Sequence, residues 1–219
     1  MKIDNIIPIE ILQRRLSASS ETVSVTIAIK RPKWNDVYQN YPKNDTNTND
    51  IFGPDFYKKL FGARYDLKTN LLDNKTHLYN GCAGKVSTAL VLSGSPLTKT
   101  SGIGIDFVAS EDILKSKTIK DLSMKSKGFI STASKMKKWL DAAWKTNGDF
   151  HVDNPTSVND LKALTGDKQG IYLMLAKNTA EFGASGHVTL WTNNASEKYV
   201  FGGHHYEKSA KAMYFWELK

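Results

Sequence analysis

Two hydrophobic periodicities divide the chain, one typical of helices in its first two thirds and one typical of strands in its last third. The run 170–176 is continuously apolar and bounded by turn residues, as expected for a buried strand. Further strands are predicted over 187–191, 198–201 and 212–218. Because helices come first and short strands follow in succession, the pattern predicts an α+β fold with an antiparallel sheet.

The clearest helix signal lies between residues 80 and 94. Asn80 is a good N-cap residue, and Gly94 followed by Pro96 gives the end of the helix. The apolar positions that recur at helical spacing, and predict one core-facing stripe, are Ala83, Val86 and Leu90. Cys82 then falls in the first turn.

Shorter helices are predicted over 31–42, around 56–61 and from near residue 135 to residue 146. The apolar residues that share one face of the first of these helices are Trp34, Val37 and Tyr41, and those of the last are Met136, Leu140 and Ala143. Residues 1–30, with a strand-like stretch at 22–29, are interpreted as an N-terminal extension, and residues 31–219 as one domain.

The composition excludes a membrane-spanning protein and widespread disorder. Of the 219 residues, 40% are hydrophobic and 24% are charged, close to the globular average of about 25% charged. No run approaches the roughly 18 consecutive apolar residues of a membrane-spanning helix. The first ten residues also lack the apolar stretch of a secretory signal. We therefore expect synthesis in the cytoplasm without a signal peptide, and any export by a route that ignores such signals.

The net charge of +8 favours polyanionic partners such as nucleic acid, acidic membrane surfaces or an anionic cell wall. Between Lys115 and Lys138 there are eight lysines and one acidic residue, Asp121. This stretch is either a solvated helix face or a docking patch for an anionic polymer. Since basic motifs interleaved with aromatic residues are absent, nucleic acid is not expected as a partner.

Cys82 is the single cysteine, which excludes a disulfide scaffold and a cysteine-rich metal fold. It is either a small buried hydrophobic residue or a nucleophile. In the first turn of a helix, unsatisfied N–H groups and the helix dipole favour thiolate over thiol, and the same N–H groups can stabilise an oxyanion. The position therefore predicts a thiol of lowered pKa.

His187 is the candidate base. It lies 187 − 82 = 105 residues after Cys82, at the head of a predicted strand and directly after a Gly-Ala-Ser-Gly loop. A cysteine on a helix facing a histidine on a strand is the papain-type arrangement. His77 and His151 are interpreted as surface residues, and the pair at 204–205 lacks partners at metal-ligand spacing, so neither a metal site nor a cofactor is expected.

Four motifs in order resemble the family-4 type VI secretion amidase effectors. The segment Asn-Gly-Cys-Ala at 80–83, with Ser87, resembles the nucleophile helix of that family, and Gly-His-Val-Thr-Leu-Trp at 186–191 resembles its histidine motif. Arg-Pro-Lys-Trp at 31–34, with Tyr-Pro at 41–42, resembles the usual opening, and Phe-Trp-Glu-Leu at 215–218 the usual ending. The resemblance covers residues 31–219 and leaves 1–30 outside.

The resemblance implies a papain-like (NlpC-type) cysteine amidase domain, with the nucleophile helix packed on the antiparallel sheet. It implies an antibacterial toxin that is injected into rival bacteria and acts in their periplasm. The implied activity is that of a DL-endopeptidase cleaving the D-glutamyl–meso-diaminopimelate amide bond of peptidoglycan, with an immunity protein protecting the producer. The alternatives are a catalytically silent basic module that binds the wall, or a cysteine amidase acting on a different wall bond.

The third catalytic residue departs from the family, whose members usually carry an aspartate about ten residues after the histidine. No aspartate follows His187, and the nearest acid is Glu197. Glu197 is therefore the candidate for orienting His187, with Asn193 and Asn194 as rivals, since an amide can also hold an imidazole. Gly84 is unusual as well, because glycine inside a helix costs about 1 kcal/mol relative to alanine. It indicates a close approach by substrate or by another backbone segment.

Overall fold

The computed structural model describes residues 17–20, 23–26, 30–43, 50–95, 97, 129–192 and 206–219. In the predicted N-terminal extension, strands β1 (Ser17–Ser20) and β2 (Val23–Thr26) form an antiparallel hairpin. The predicted strand at 22–29 is thus present in its central part, and β1 was missed. The domain boundary at residue 30 stays a prediction.

The rest of the described chain contains six helices and seven strands. The helices are α1 (Trp34–Asn40), α2 (Gly53–Phe61), α3 (Cys82–Leu92), α4 (Ala133–Trp144), α5 (Val158–Thr165) and α6 (Thr179–Phe182). The strands are β3 (Tyr65–Asp66), β4 (Leu71–Leu72), β5 (Thr76–His77), β6 (Phe150–Asp153), β7 (Gly170–Ala176), β8 (Gly186–Trp191) and β9 (Ala210–Glu217). Within this part of the chain, no helix is both long enough and apolar enough to cross a membrane.

The main sheet has the strand order β6-β9-β7-β8 and is antiparallel throughout. This confirms the predicted α+β class. Strand β7 is covered on both sides: Ile171 and Leu173 join the core shared with the helices, while Tyr172 and Met174 pack in the cluster that includes Leu161 of α5. Burial of both faces is the reason for its uninterrupted apolar run. The predicted strand at 198–201 lies outside the described residues.

Helix α3 lies inside the main core, between the other helices and the sheet. Every residue from 83 to 91 is buried, so the prediction of a single core-facing stripe is wrong. The predicted cap is also wrong, because Gly81 is the N-cap residue and no side chain caps the helix. The side-chain amide of Asn80 instead donates to the Gly183 carbonyl, 103 positions further along the chain, at 3.5 Å.

A second hydrophobic cluster supports the segment that enters α3. It joins the aromatic residues of α2 to the small three-stranded sheet β3-β4-β5. Within it, the Tyr57 hydroxyl donates to the Asn80 carbonyl at 3.0 Å. Gly84 packs against the same cluster: an added Cβ would lie 2.6 Å from Phe129 Cζ and 3.0 Å from Phe56 Cε1. The close approach predicted at Gly84 therefore comes from two phenyl rings and not from backbone.

The opening and ending motifs meet in space. Arg31 pairs with Asp149 and donates to the Glu217 carbonyl at 3.1 Å, and its guanidinium lies over the Trp144 ring. The Trp34 N–H donates to the carbonyl of residue 219 at 3.0 Å. The apolar faces predicted for α1 and α4 are both buried. The first helix is therefore fixed against the last strand of the sheet.

Candidate active site

Cys82 and His187 line one groove of 780 Å³, as the papain-type hypothesis predicts. One wall is the segment from residue 50 to the start of α3, and the other is the loop between β7 and β8 together with residues 206–209. The predicted surface histidines, His77 and His151, are both exposed. The groove thus brings together the two residues proposed from sequence, although 105 positions separate them.

The sulfur of Cys82 lies where the first turn of α3 meets strand β8. Burial raises the pKa of this thiol. Hydrogen bonds from the N–H groups of Val188 and Ala83, and the positive charge of Lys85, act in the opposite direction without cancelling the effect of burial. The predicted lowering of the Cys82 pKa is therefore wrong, because loss of solvation outweighs the helix N-terminus.

His187 is the second residue of β8, and its exposed fraction is only 7%. Its ring meets that of Tyr206 edge to face, with 5.4 Å between centroids, and Tyr206 meets Phe182 in the same manner at 5.2 Å. Gly186 precedes it with φ 150°, and a Cβ there would lie 2.0 Å from the Met174 carbonyl oxygen. Only glycine lets the strand begin here, so the glycine before the histidine has a direct steric cause.

Cys82 also lines a smaller cavity of 380 Å³. It is lined by Tyr57, His77 and the start of α4, and it shares Cys82, Asn80 and Gly186 with the main groove. The two cavities therefore adjoin each other at the start of α3.

Sequence reasoning missed a buried ion pair in the same groove. The Lys85 ammonium donates to Asp50 Oδ1 at 2.7 Å and to the Ile51 carbonyl at 2.8 Å, and only 5% and 6% of the Lys85 and Asp50 side chains are exposed. The two residues are 35 positions apart and have no shared motif. The available signal was the charged residue at position 85 in a helix that has no other charged residue.

Comparison with known proteins decides the family. Tae4, described as type VI secretion system (T6SS) amidase effector protein 4, matches residues 78–216, which is more than half of the chain. The chain belongs to the Tae4 family. The resemblance read from the four motifs is thereby confirmed, and the protein is an amidase effector of type VI secretion with antibacterial activity against peptidoglycan.

Solved structures of Tae4 proteins share the fold. The Tae4–Tai4 effector–immunity complex from Salmonella Typhimurium matches with a TM-score of 0.55 and 17% identity, covering 87% of this chain and 100% of that chain. The Tae4–Tai4 complex from Enterobacter cloacae matches with a TM-score of 0.52 and 19% identity, covering 87% and 100%. At these identities the likeness concerns the fold alone. A search of curated protein sequences found no match.

The third site residue of this Tae4-family member stays a prediction. Glu197, Asn193 and Asn194 lie outside the described residues, and so does the histidine pair at 204–205. Among the residues that the structure describes, no group of three or more His, Cys, Asp or Glu side chains is placed to hold a metal ion.

Proposed function

We propose that this Tae4-family effector hydrolyses the D-glutamyl–meso-diaminopimelate amide of peptidoglycan by Cys–His nucleophilic catalysis. The observation that carries the proposal is the placement of Cys82 and His187 in one groove, with Cys82 at the first position of α3. The choice of bond rests on the resemblance of the four motifs, and the domain is proposed to be papain-like.

In the proposed mechanism, Cys82 keeps its proton while the groove is empty, because burial raises the pKa of the thiol. His187 then removes that proton as the sulfur attacks the amide carbon. The first N–H groups of a helix have no carbonyl partner within it, so the start of α3 can donate to the oxyanion. His187 returns the proton to the leaving amine, and water hydrolyses the thioester. Glu197, or Asn193 or Asn194 in its place, would orient the imidazole.

The charges at the mouth of the groove support an acidic peptide as substrate. Lys177 and Lys208 line one wall of the groove together with one acid, Glu181, so lysine is in excess there, and the Lys177 ammonium donates to the Lys208 carbonyl at 3.3 Å. This places positive charge beside the loop between β7 and β8. Carboxylates on a stem peptide would meet that charge before the amide reaches Cys82.

Place of action and partner follow from the family. An effector of type VI secretion would act in the periplasm of the target cell, where peptidoglycan lies. The Tae4 proteins from Salmonella Typhimurium and Enterobacter cloacae were solved in complex with Tai4. We infer that an immunity protein of the same kind binds this chain in its producer and covers the groove.

The deciding experiment is mass spectrometry of purified sacculi after digestion. We expect the wild-type protein to leave stems that end at D-glutamate on the glycan and to release fragments that begin with meso-diaminopimelate, and Cys82→Ala to release none while keeping its circular dichroism spectrum. His187→Ala should lose activity by orders of magnitude, whereas His151→Ala, which changes an exposed histidine outside the groove, should match wild type. Hydrolysis by folded Cys82→Ala would contradict the proposed mechanism. Cleavage at another amide would contradict the proposed choice of bond.

The third residue needs its own comparison on a soluble muropeptide. If Glu197 orients His187, Glu197→Gln should lose much more activity than Asn193→Ala or Asn194→Ala, with no change in thermal stability. If Glu197→Gln hydrolyses the muropeptide at the wild-type rate, the role of orienting His187 would be assigned to Asn193 or Asn194.

A further inference from the structure

The Lys85–Asp50 pair is unusual because both charges are almost completely withdrawn from water. Lysine is rarely buried, and removing an ammonium and a carboxylate from water costs several kcal/mol each before their attraction offsets it. The Ile51 carbonyl is a third partner, 2.8 Å from the ammonium. A buried pair of this kind contributes little net stability, so its position beside the active site calls for another explanation.

The pair lies next to the nucleophile. Lys85 is three residues after Cys82, so the two side chains neighbour each other on the surface of α3. Both residues of the pair line the groove that contains the sulfur. The buried part of the helix carries no other charged side chain, so Lys85 is a cation held within one turn of the thiol.

The titratable groups that face Cys82 come from five elements of the described chain. Lys85 belongs to α3, Asp50 to the segment before α2, Tyr57 to α2, His187 to β8, and Tyr41 follows α1. Burial raises the pKa of both tyrosines, so they stay neutral near pH 7. Among the described groups, Lys85 and Asp50 form the ion pair beside the sulfur, and His187 is the base of the proposed mechanism.

We propose that Lys85 is a positioning residue that stabilises the Cys82 thiolate, and that Asp50 holds Lys85 in place while opposing its effect. The proposal rests on the proposed function in one respect, namely that Cys82 is the nucleophile. In the electrostatics of the site, the charge of Lys85 lowers the pKa of the thiol and the charge of Asp50 raises it. Each effect is smaller than that of burial.

The two charges should shift the thiol in opposite directions. Lys85→Met removes the cation but keeps the length of the side chain, so the thiol pKa should rise and alkylation at pH 7 should slow several-fold. Asp50→Asn removes the anion but keeps the shape, so the thiol pKa should fall and alkylation should quicken. Lys85→Arg keeps the charge and should restore most of the wild-type value. A pair with a merely structural role would not move the pKa in opposite directions.

The test measures the rate of iodoacetamide alkylation of Cys82 against pH, by mass spectrometry, on the full folded chain. The variants are repeated in a His187→Ala background, so that no imidazolium contributes to the thiol pKa. With His187 intact, the acidic limb of the kcat/KM profile of each Lys85 and Asp50 variant on a soluble muropeptide should move with the thiol pKa.

Opposite shifts for Lys85→Met and Asp50→Asn, with recovery in Lys85→Arg, would support the proposal. Shifts of the same sign, or none, would overturn it. If Lys85→Met fails to fold, Asp50→Asn and Lys85→Arg still carry the comparison. Because alkylation reads the thiol without requiring amide hydrolysis, failure of this proposal is distinguishable from failure of the proposed function.

Discussion

Replacing Gly84 by alanine sets two opposing effects against each other in the nucleophile helix. Alanine improves helix propensity by about 1 kcal/mol. Against this, the new methyl would lie 2.6 Å from Phe129 Cζ and 3.0 Å from Phe56 Cε1, whereas carbon atoms in good contact are about 3.5–4.0 Å apart. Each of the two phenylalanines is only 3% exposed, so neither ring has open space into which to move.

The clash should be the larger of the two effects. Overpacking a buried site costs about 1–3 kcal/mol, which leaves a net destabilisation of about 1 kcal/mol after the gain in propensity is subtracted. For a chain of this length, that corresponds to a fall in Tm of about 2–4 °C. The methyl would also push the start of α3, and a displacement of about 1 Å at a reacting group can cost roughly a hundredfold in rate. We therefore expect activity to fall more steeply than stability.

A double-mutant cycle separates the two effects. Phe129→Leu removes the ring atom nearest to the new methyl, so Gly84→Ala should cost less in that background than in wild type, and the coupling should be measurable. The assays are thermal unfolding by circular dichroism and the hydrolysis rate on a soluble muropeptide. A Tm for Gly84→Ala equal to or above that of wild type would refute the reasoning, since it would show that the rings yield at little cost.

Two further predictions concern the rest of the domain. Burial acts to raise the pKa of the Asp149 carboxyl, but hydrogen bonds from Arg31 and the Glu217 N–H outweigh it, so the folded pKa lies below the unfolded one. The Arg31–Asp149 pair therefore contributes its full stabilisation above the pKa of Asp149 in the unfolded chain, about 3.9. This stabilisation is lost as the pH falls through the lower pKa of Asp149 in the folded chain. The Tm difference between wild type and Arg31→Ala should be constant near neutral pH and shrink in acid; a constant difference down to pH 2 would contradict this. Ser157→Ala should cost about 1 kcal/mol, because Ser157 is part of a capping box, whereas Asn80→Ala removes no cap and should cost less in the same melts.

Two kinds of element were predictable from the sequence: those buried on both faces, and those whose apolar residues recur on one face. The continuous apolar run predicted strand β7, and the helical spacing of apolar residues predicted α1 and α4. Strand β6 was missed because it has four residues of alternating exposure, too few for a distinct period. Helix α5 was missed although Ser157 and Asp160 give a capping-box signal three residues apart.

The features of the site also fall into those that local sequence predicts and those that depend on tertiary contacts. Local context sufficed for Cys82 and His187, since a helix start and a strand start after glycine are visible in sequence. The Lys85–Asp50 pair was not predictable, because it joins residues 35 positions apart through a tertiary contact. The thiol pKa was predicted with the wrong sign for a related reason: the helix dipole can be read from the chain, whereas the depth of burial depends on the assembled fold.

Strand β9 is made after every other strand of its sheet, yet it occupies an interior position between β6 and β7. The same late segment receives the hydrogen bond from Arg31 and the one from the Trp34 N–H. During synthesis, therefore, β6 cannot be joined to the β7–β8 pair in one sheet, and Arg31 and Trp34 cannot make these hydrogen bonds, until β9 has left the ribosome. Completion of the sheet that carries His187 and attachment of the start of the domain to that sheet are therefore one event, the insertion of β9 between β6 and β7.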